Sequence, residues 1–163
     1  MKKQKKKFEK PLRPWDKTRI EEERKIIQNY GLRRKREIWK AESILRNYRR
    51  IARNLAAKID KEKEKILLDK LFRIGLISRD ANLDDVLALT IEKLLERRLQ
   101  TLVFKKGLVS TLKQARQFIV HGHVTVDGRI VKWPSMIISI LEENKINLYE
   151  KNKIKGVKVE KKS

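Results

Sequence analysis

Residues Glu92–Pro134 read EKLLERRLQTLVFKKGLVSTLKQARQFIVHGHVTVDGRIVKWP, and their spacing decides the fold. Leu95, Leu99, Leu102 and Val103 recur at i, i+4, i+7 and i+8, which predicts one helical face. Arg97, Thr101 and Lys105 fall one turn apart on another face, with Arg98 beside them. Gly107 stands where that helix can end in the left-handed region. Thr111 and Gln114 have the spacing of a capping box for a second helix. Leu112, Ala115, Phe118 and Ile119 form its apolar stripe, and Lys113, Arg116 and Gln117 point away from it. Gly122 offers a second stop. The period then changes from helical to alternating. Asp127-Gly128 is a strong signal for a two-residue type I′ hairpin turn. It sets Val126 opposite Arg129 and Val124 opposite Val131, with His123, Thr125 and Lys132 on the other face. Pro134 closes the run, because it has no N–H to give a ladder. Two helices on a hairpin would display Arg97, Arg98, Arg116, Gln117, His121, His123 and Lys132 around one edge.

The segment LERRLQTLVFKKGLVSTLKQARQFIVHGHVTVDGRIVKWPS resembles the S-four RNA-binding domain, with ERRLQT, QARQFIVHGH and VDG matched in order and spacing. Upstream, GLRRKREIWKAESILRNYRRIARNL and LDDVLALTIEKLLERRLQT are similar to the small-subunit ribosomal protein S-four family, archaeal type. The resemblance spans roughly Pro11 to Leu148. It implies an α+β fold: a mostly helical N-terminal part, then an S-four module of two helices packed on a small antiparallel sheet. It implies binding to the 5′ domain of small-subunit ribosomal RNA, early in assembly of the body and near where mRNA enters, with an influence on translational accuracy. Neighbouring small-subunit proteins would be its protein partners.

Composition bounds the function independently. Lys and Arg number 43 against 21 Asp and Glu, a formal net charge of +22 on 163 residues. Such an excess repels itself when compact and seeks a polyanion, most commonly nucleic acid. There is no cysteine, so disulfides and thiolate zinc sites are excluded. Some members of the resembled family carry cysteine-ligated zinc near the N-terminus; this chain cannot. No apolar run reaches the length of a membrane span, and no apolar segment follows the N-terminal charge as in a secretory signal.

The chain divides into a basic N-terminal arm (1–15), a helical RNA-binding region (16–91), the S-four module (92–150) and a basic C-terminal tail (151–163). The first ten residues hold six lysines and one Phe; too apolar-poor to fold alone, they read as an arm laid along phosphate. A helix is expected from near Asp16 or Thr18, with Thr18 and Glu21 as a capping box, stopping at Gly31. In the next helix Ile38, Ala41, Leu45, Tyr48, Ala52, Leu55 and Ile59 alternate spacings of three and four, a seam for packing within the chain. On the other side Arg46, Arg49, Arg50 and Arg53 stand at i, i+3, i+4 and i+7 with no acid among them. Arginine grips phosphate oxygens in pairs, so this stripe is expected to face RNA. Arg33, Arg34, Lys35 and Arg36 extend it. Ile66, Leu67, Leu71 and Ile74 predict a helix ended by Gly75, and Asn82 a cap for a short helix at Leu83–Leu89. Met136–Leu141 reads as a strand, and Lys145–Tyr149 as a further one.

The expected RNA-binding set is therefore Arg33, Arg34, Lys35, Arg36, Arg46, Arg49, Arg50, Arg53, Arg97, Arg98, Thr101, Lys105, Lys113, Arg116, Gln117, His121, His123 and Lys132. His121 and His123 are the only histidines. Without cysteine or a clustered carboxylate they do not make a zinc set, which normally needs four ligands. Trp15, Trp39 and Trp133 are expected to be partly buried. No Gly-rich phosphate loop, nucleophile elbow or catalytic domain is present, so no enzyme, cofactor, metal or small-molecule substrate is expected. Three readings stay open beside the ribosomal one: an S-four stress protein that recycles stalled subunits, the non-catalytic part of an RNA-modifying enzyme, and a basic chromatin or membrane-surface protein.

Overall fold

The structure is a computed structural model and describes residues 6–58 and 60–149. Ile59 of the expected seam and the basic tail at 151–163 lie outside the described residues. The chain divides into two compact units, the first formed by Met1–Asp69 with Ile77–Lys93, the second by Lys70–Leu76 with Leu94–Ser163.

In the first unit α1 runs Lys17–Tyr30 and α2 runs Lys35–Lys58. Gly31 ends α1 with φ +58° and returns its N–H to Gln28, while Leu32 bonds Ile27; this is the left-handed stop that glycine permits without a Cβ clash. The expected Thr18–Glu21 capping box does not form. Asp16 holds the N-cap position and Thr18 lies inside the helix, its hydroxyl donating to Asp16 Oδ1 at 2.7 Å. That bond also holds the Asp16 carboxyl below its ordinary pKa. Along α2, Ile38, Ala41, Leu45, Ala52 and Leu55 are buried and Tyr48 is half-buried. α3 spans Lys61–Ile74, counted with the first unit as far as Asp69 and with the second from Lys70; Leu67 and Leu71 are buried, Ile66 is exposed, and Gly75 follows the helix at φ +80°. The short α4, Leu83–Leu87, packs on α2. Its Asp85 carboxylate accepts the Asn82 N–H at 2.8 Å.

In the second unit the expected first helix is broken in two. α5 runs Ile91–Glu96 and α6 runs Leu99–Lys105. Between them Arg98 is extended (φ −75°, ψ 143°) and pairs with Ile137 as in a strand. Leu99 N–H donates to Met136 at 2.8 Å, and Ile138 N–H to Arg97 at 3.0 Å. The first N–H groups of a helix have no partner inside it; here the segment after Pro134 supplies one. α7 covers Leu112–Val120, with the Thr111 hydroxyl accepting from Gln114 N–H at 3.2 Å. The Gln114 side chain reaches back one residue further than expected, to Ser110.

β1 (Val124–Val126) is the centre of a three-stranded antiparallel sheet in the order β2–β1–β3, with β2 at Arg129–Ile130 and β3 at Ile146–Leu148. Val126 pairs with Arg129, and Val131 N–H bonds Val124, as the turn requires. Asp127 and Gly128 both have positive φ, +51° and +76°, the type I′ signature. Met136–Leu141 is not a strand. Ser139 caps α8, Ile140–Glu143, in a reciprocal box with Glu142, and local capping wins over the apolar run. Leu99, Val103, Ala115, Ile119, Val124 and Ile138 are sealed together in the core beneath α6, α7 and the sheet.

Candidate nucleic-acid interface

The outward face of α7 follows from its inward one. With Ala115 and Ile119 in the core, Phe118 packed against it and Leu112 half-buried, Lys113, Gln117 and His121 are exposed and Arg116 is half-buried. At C-terminal Gly122 the backbone turns with φ +77°, and a Cβ there would lie 3.3 Å from Ile130 Cγ2 and Lys132 Cε. Glycine thus lets the outgoing hairpin close over the helix end, with the Lys132 side chain against Gly122. The two imidazoles stack at 6.1 Å, and Phe118 meets His123 edge-on at 5.5 Å. His123 Nδ1 is buried with no hydrogen-bond partner.

Arg116 is aimed from below. Gln100 is 1% exposed; its amide donates to the Leu112 carbonyl at 3.0 Å, and its Oε1 accepts from Arg116 Nη1 at 3.4 Å. Sequence reasoning missed Gln100, because a polar residue beside an apolar stripe gives no sign that it is inside. It also left out Arg129, exposed on the hairpin. Asp127 is engaged by Lys145 at 2.9 Å, and that bond lowers the Asp127 pKa and raises that of Lys145. Among the described residues no carboxylate pairs with Lys113 or Lys132.

The break before α6 removes other residues from this edge. Thr101 is buried, its hydroxyl donating to the Leu95 carbonyl at 2.8 Å, and Arg98 is buried as well. Arg97 is turned inward, with Nη1 2.7 Å from Glu143 and Nη2 3.2 Å from the Ile138 carbonyl. The expectation that Arg97, Arg98 and Thr101 line an exposed edge is corrected accordingly. Their expected face assumed an unbroken helix. Lys105 stays exposed but is held by Glu96 at 3.0 Å.

In the first unit the arginine stripe is present but not uniform. Arg46, Arg50 and Arg53 are exposed. Arg46 pairs with Glu9 of the arm, and Arg50 bonds Asn47. Arg49 is half-buried and donates to the Leu89 carbonyl at 2.5 Å, so it ties α2 to the end of the α4 segment. Arg33, Arg34 and Arg36 are exposed; Lys35 is drawn to Glu23 at 3.0 Å. Glu23 is 2% exposed and also takes the Trp39 indole N–H at 2.9 Å. Trp39 is half-buried as expected, whereas Trp15 and Trp133 are exposed.

Among the described residues there is no group of three or more His, Cys, Asp or Glu suited to a metal ion. No helix among them is long and apolar enough to cross a membrane.

Two family profiles match consecutive stretches of the chain: “Ribosomal protein S4/S9 N-terminal domain” over residues 1–96, and “S4 domain” over residues 97–143. Among curated proteins, “Small ribosomal subunit protein uS4” of Saccharolobus islandicus, from strains L.S.2.15 and M.14.25, is 49% identical over 159 residues. That alignment covers 95% of this chain and 88% of the relative.

Proposed function

The chain belongs to the ribosomal protein S4 family, and from that premise we propose that it is a structural, non-catalytic constituent of the small ribosomal subunit that binds ribosomal RNA. Its place is then cytoplasmic, in the small subunit. We assign its RNA target to the 5′ domain, its role to early assembly of the subunit body, and its position to the vicinity of mRNA entrance, among neighbouring small-subunit proteins and with an influence on accuracy.

The observation that carries the reading is the outward face of α7 and the hairpin. It joins Lys113, Arg116, Gln117, His121 and Lys132 on a rigid core, with Arg116 oriented by a buried glutamine. A-form RNA hides its base edges in a deep groove, so such a face reads phosphates, 2′-hydroxyls and shape. Arg46, Arg50 and Arg53 give the first unit a second basic face of the same chemistry, extended by Arg33, Arg34 and Arg36. Each face takes its own RNA helix. Arg97, Arg98, Thr101 and Arg49 support these faces from within.

The test is co-sedimentation. The tagged chain is expected in small subunits at one copy each, retained through washes that strip loosely bound basic proteins. Substoichiometric recovery confined to stalled or dissociated particles would favour the recycling reading instead.

A further inference from the structure

The first unit contains a cavity of about 620 Å³ between the N-terminal arm and the start of α2. Two aromatic rings, Phe8 and Trp39, line it. So do Lys6 and Lys10 of the arm with Arg34 and Arg36, and among the described residues no carboxylate lines it. Lys35, also at the wall, is already engaged by Glu23. The same Glu23 fixes the indole of Trp39 through its N–H. Phe8 backs that ring at 5.9 Å with a tilt of 39°. At that separation the two rings are in direct contact, so the pair is too close for a base to be sandwiched between them. What remains is one immobilised aromatic platform inside a cationic rim, in a cavity of the size that takes small ligands.

We propose that this cavity is a nucleotide pocket: an unstacked base lies on Trp39, and its phosphate sits among Arg34, Arg36 and the arm lysines. The proposal deepens the RNA-binding reading and rests on it for the source of the nucleotide, an unpaired residue of the bound RNA. A free mononucleotide has the same chemistry. Base–aromatic stacking tolerates any base, because every base has a π-face. The arm then sets Lys6 and Lys10 at the rim of the nucleotide site, while Phe8 supports the Trp39 ring by direct contact.

The experiment uses the full chain with the exposed Trp15 and Trp133 replaced by Phe, so that emission reports Trp39 alone. A short oligoadenylate, an abasic oligomer of equal length, and AMP are titrated in turn. Oligoadenylate is expected to quench Trp39 saturably, and the abasic oligomer to bind about tenfold or more weakly without quenching. Phe8→Ala and Arg36→Ala, neither in the buried core, are each expected to weaken oligoadenylate about tenfold with unchanged circular dichroism. Saturable quenching by AMP at equal affinity would uphold the pocket and assign it to free nucleotides. Absent quenching, or equal binding of the abasic oligomer, would overturn it. Affinity for a transcript of the rRNA 5′ domain is measured in parallel. If that affinity is high while Trp39 stays silent, only the pocket fails. If the transcript is not bound, the RNA-binding reading itself fails.

Discussion

Arg116 and Thr101 show how one residue's role turns on its surroundings. Both fall on polar positions of an apolar-striped segment, yet one reaches solvent and the other is sealed in. Arg116→Ala removes a guanidinium that Gln100 orients and no core contact. It is expected to weaken binding to the rRNA 5′ domain by about 1.5–3 kcal/mol, as for a charged hydrogen bond, with little change in melting temperature. Thr101→Val keeps the shape but strands the Leu95 carbonyl. It should cost about 1 kcal/mol of stability and leave RNA affinity unchanged once folded. Thermal melts and filter binding of the two variants check both halves. If Thr101→Val weakens binding without destabilising, the inward assignment is wrong. Such a distinction was not legible beforehand, since Thr101 in ERRLQT and Arg116 in QARQFIVHGH look alike to a polarity pattern.

At the scale of elements, the readable parts were those fixed by local chemistry. The Asp127-Gly128 turn, the Gly31 stop and the Thr111 cap each follow from one or two residues, and the structure has all three. What escaped was decided by distant partners. Leu95 and Leu99 keep a helical spacing straight across the break at Arg97–Arg98, so periodicity could not show it. The backbone of residues 136–138 competes for those N–H and carbonyl groups and wins. At Met136–Leu141 the opposite held: Ser139 and Glu142 make a local box within an apolar run that reads as strand. That box gives a pH prediction. Hydrogen bonds from the Ser139 hydroxyl and N–H hold the Glu142 carboxyl below its ordinary pKa. A carboxylate depressed on folding stabilises above its unfolded pKa, and the gain is lost as pH falls through the folded value. Ser139→Ala should therefore lower the melting temperature at neutral pH, a cap being typically worth about 1 kcal/mol. The gap to the parent protein should narrow in acid below the usual carboxylate range. A gap that does not change with pH would remove Glu142 from the account. Within α2, Arg49→Ala should destabilise by about 1–2 kcal/mol through the Leu89 carbonyl, while its neighbour Arg50→Ala should leave melting unchanged and reduce RNA affinity.

For the whole molecule the dominant quantity is charge. An excess of +22 makes binding to RNA a counterion-releasing process. The logarithm of affinity for the 5′ domain should fall linearly with the logarithm of salt, by about 0.7–0.9 per phosphate contacted. A near-flat plot would sink the electrostatic mechanism. Charge alone does not make binding specific, and any basic protein would share that slope. Shape recognition by the two faces is the stronger claim, and chemical footprinting of a 5′-domain transcript at physiological salt tests it most directly. The account predicts a discrete set of protected nucleotides, with one subset lost for Arg116→Ala and a different subset lost for Arg50→Ala. Diffuse protection along the transcript, or the same subset lost for both variants, would contradict it.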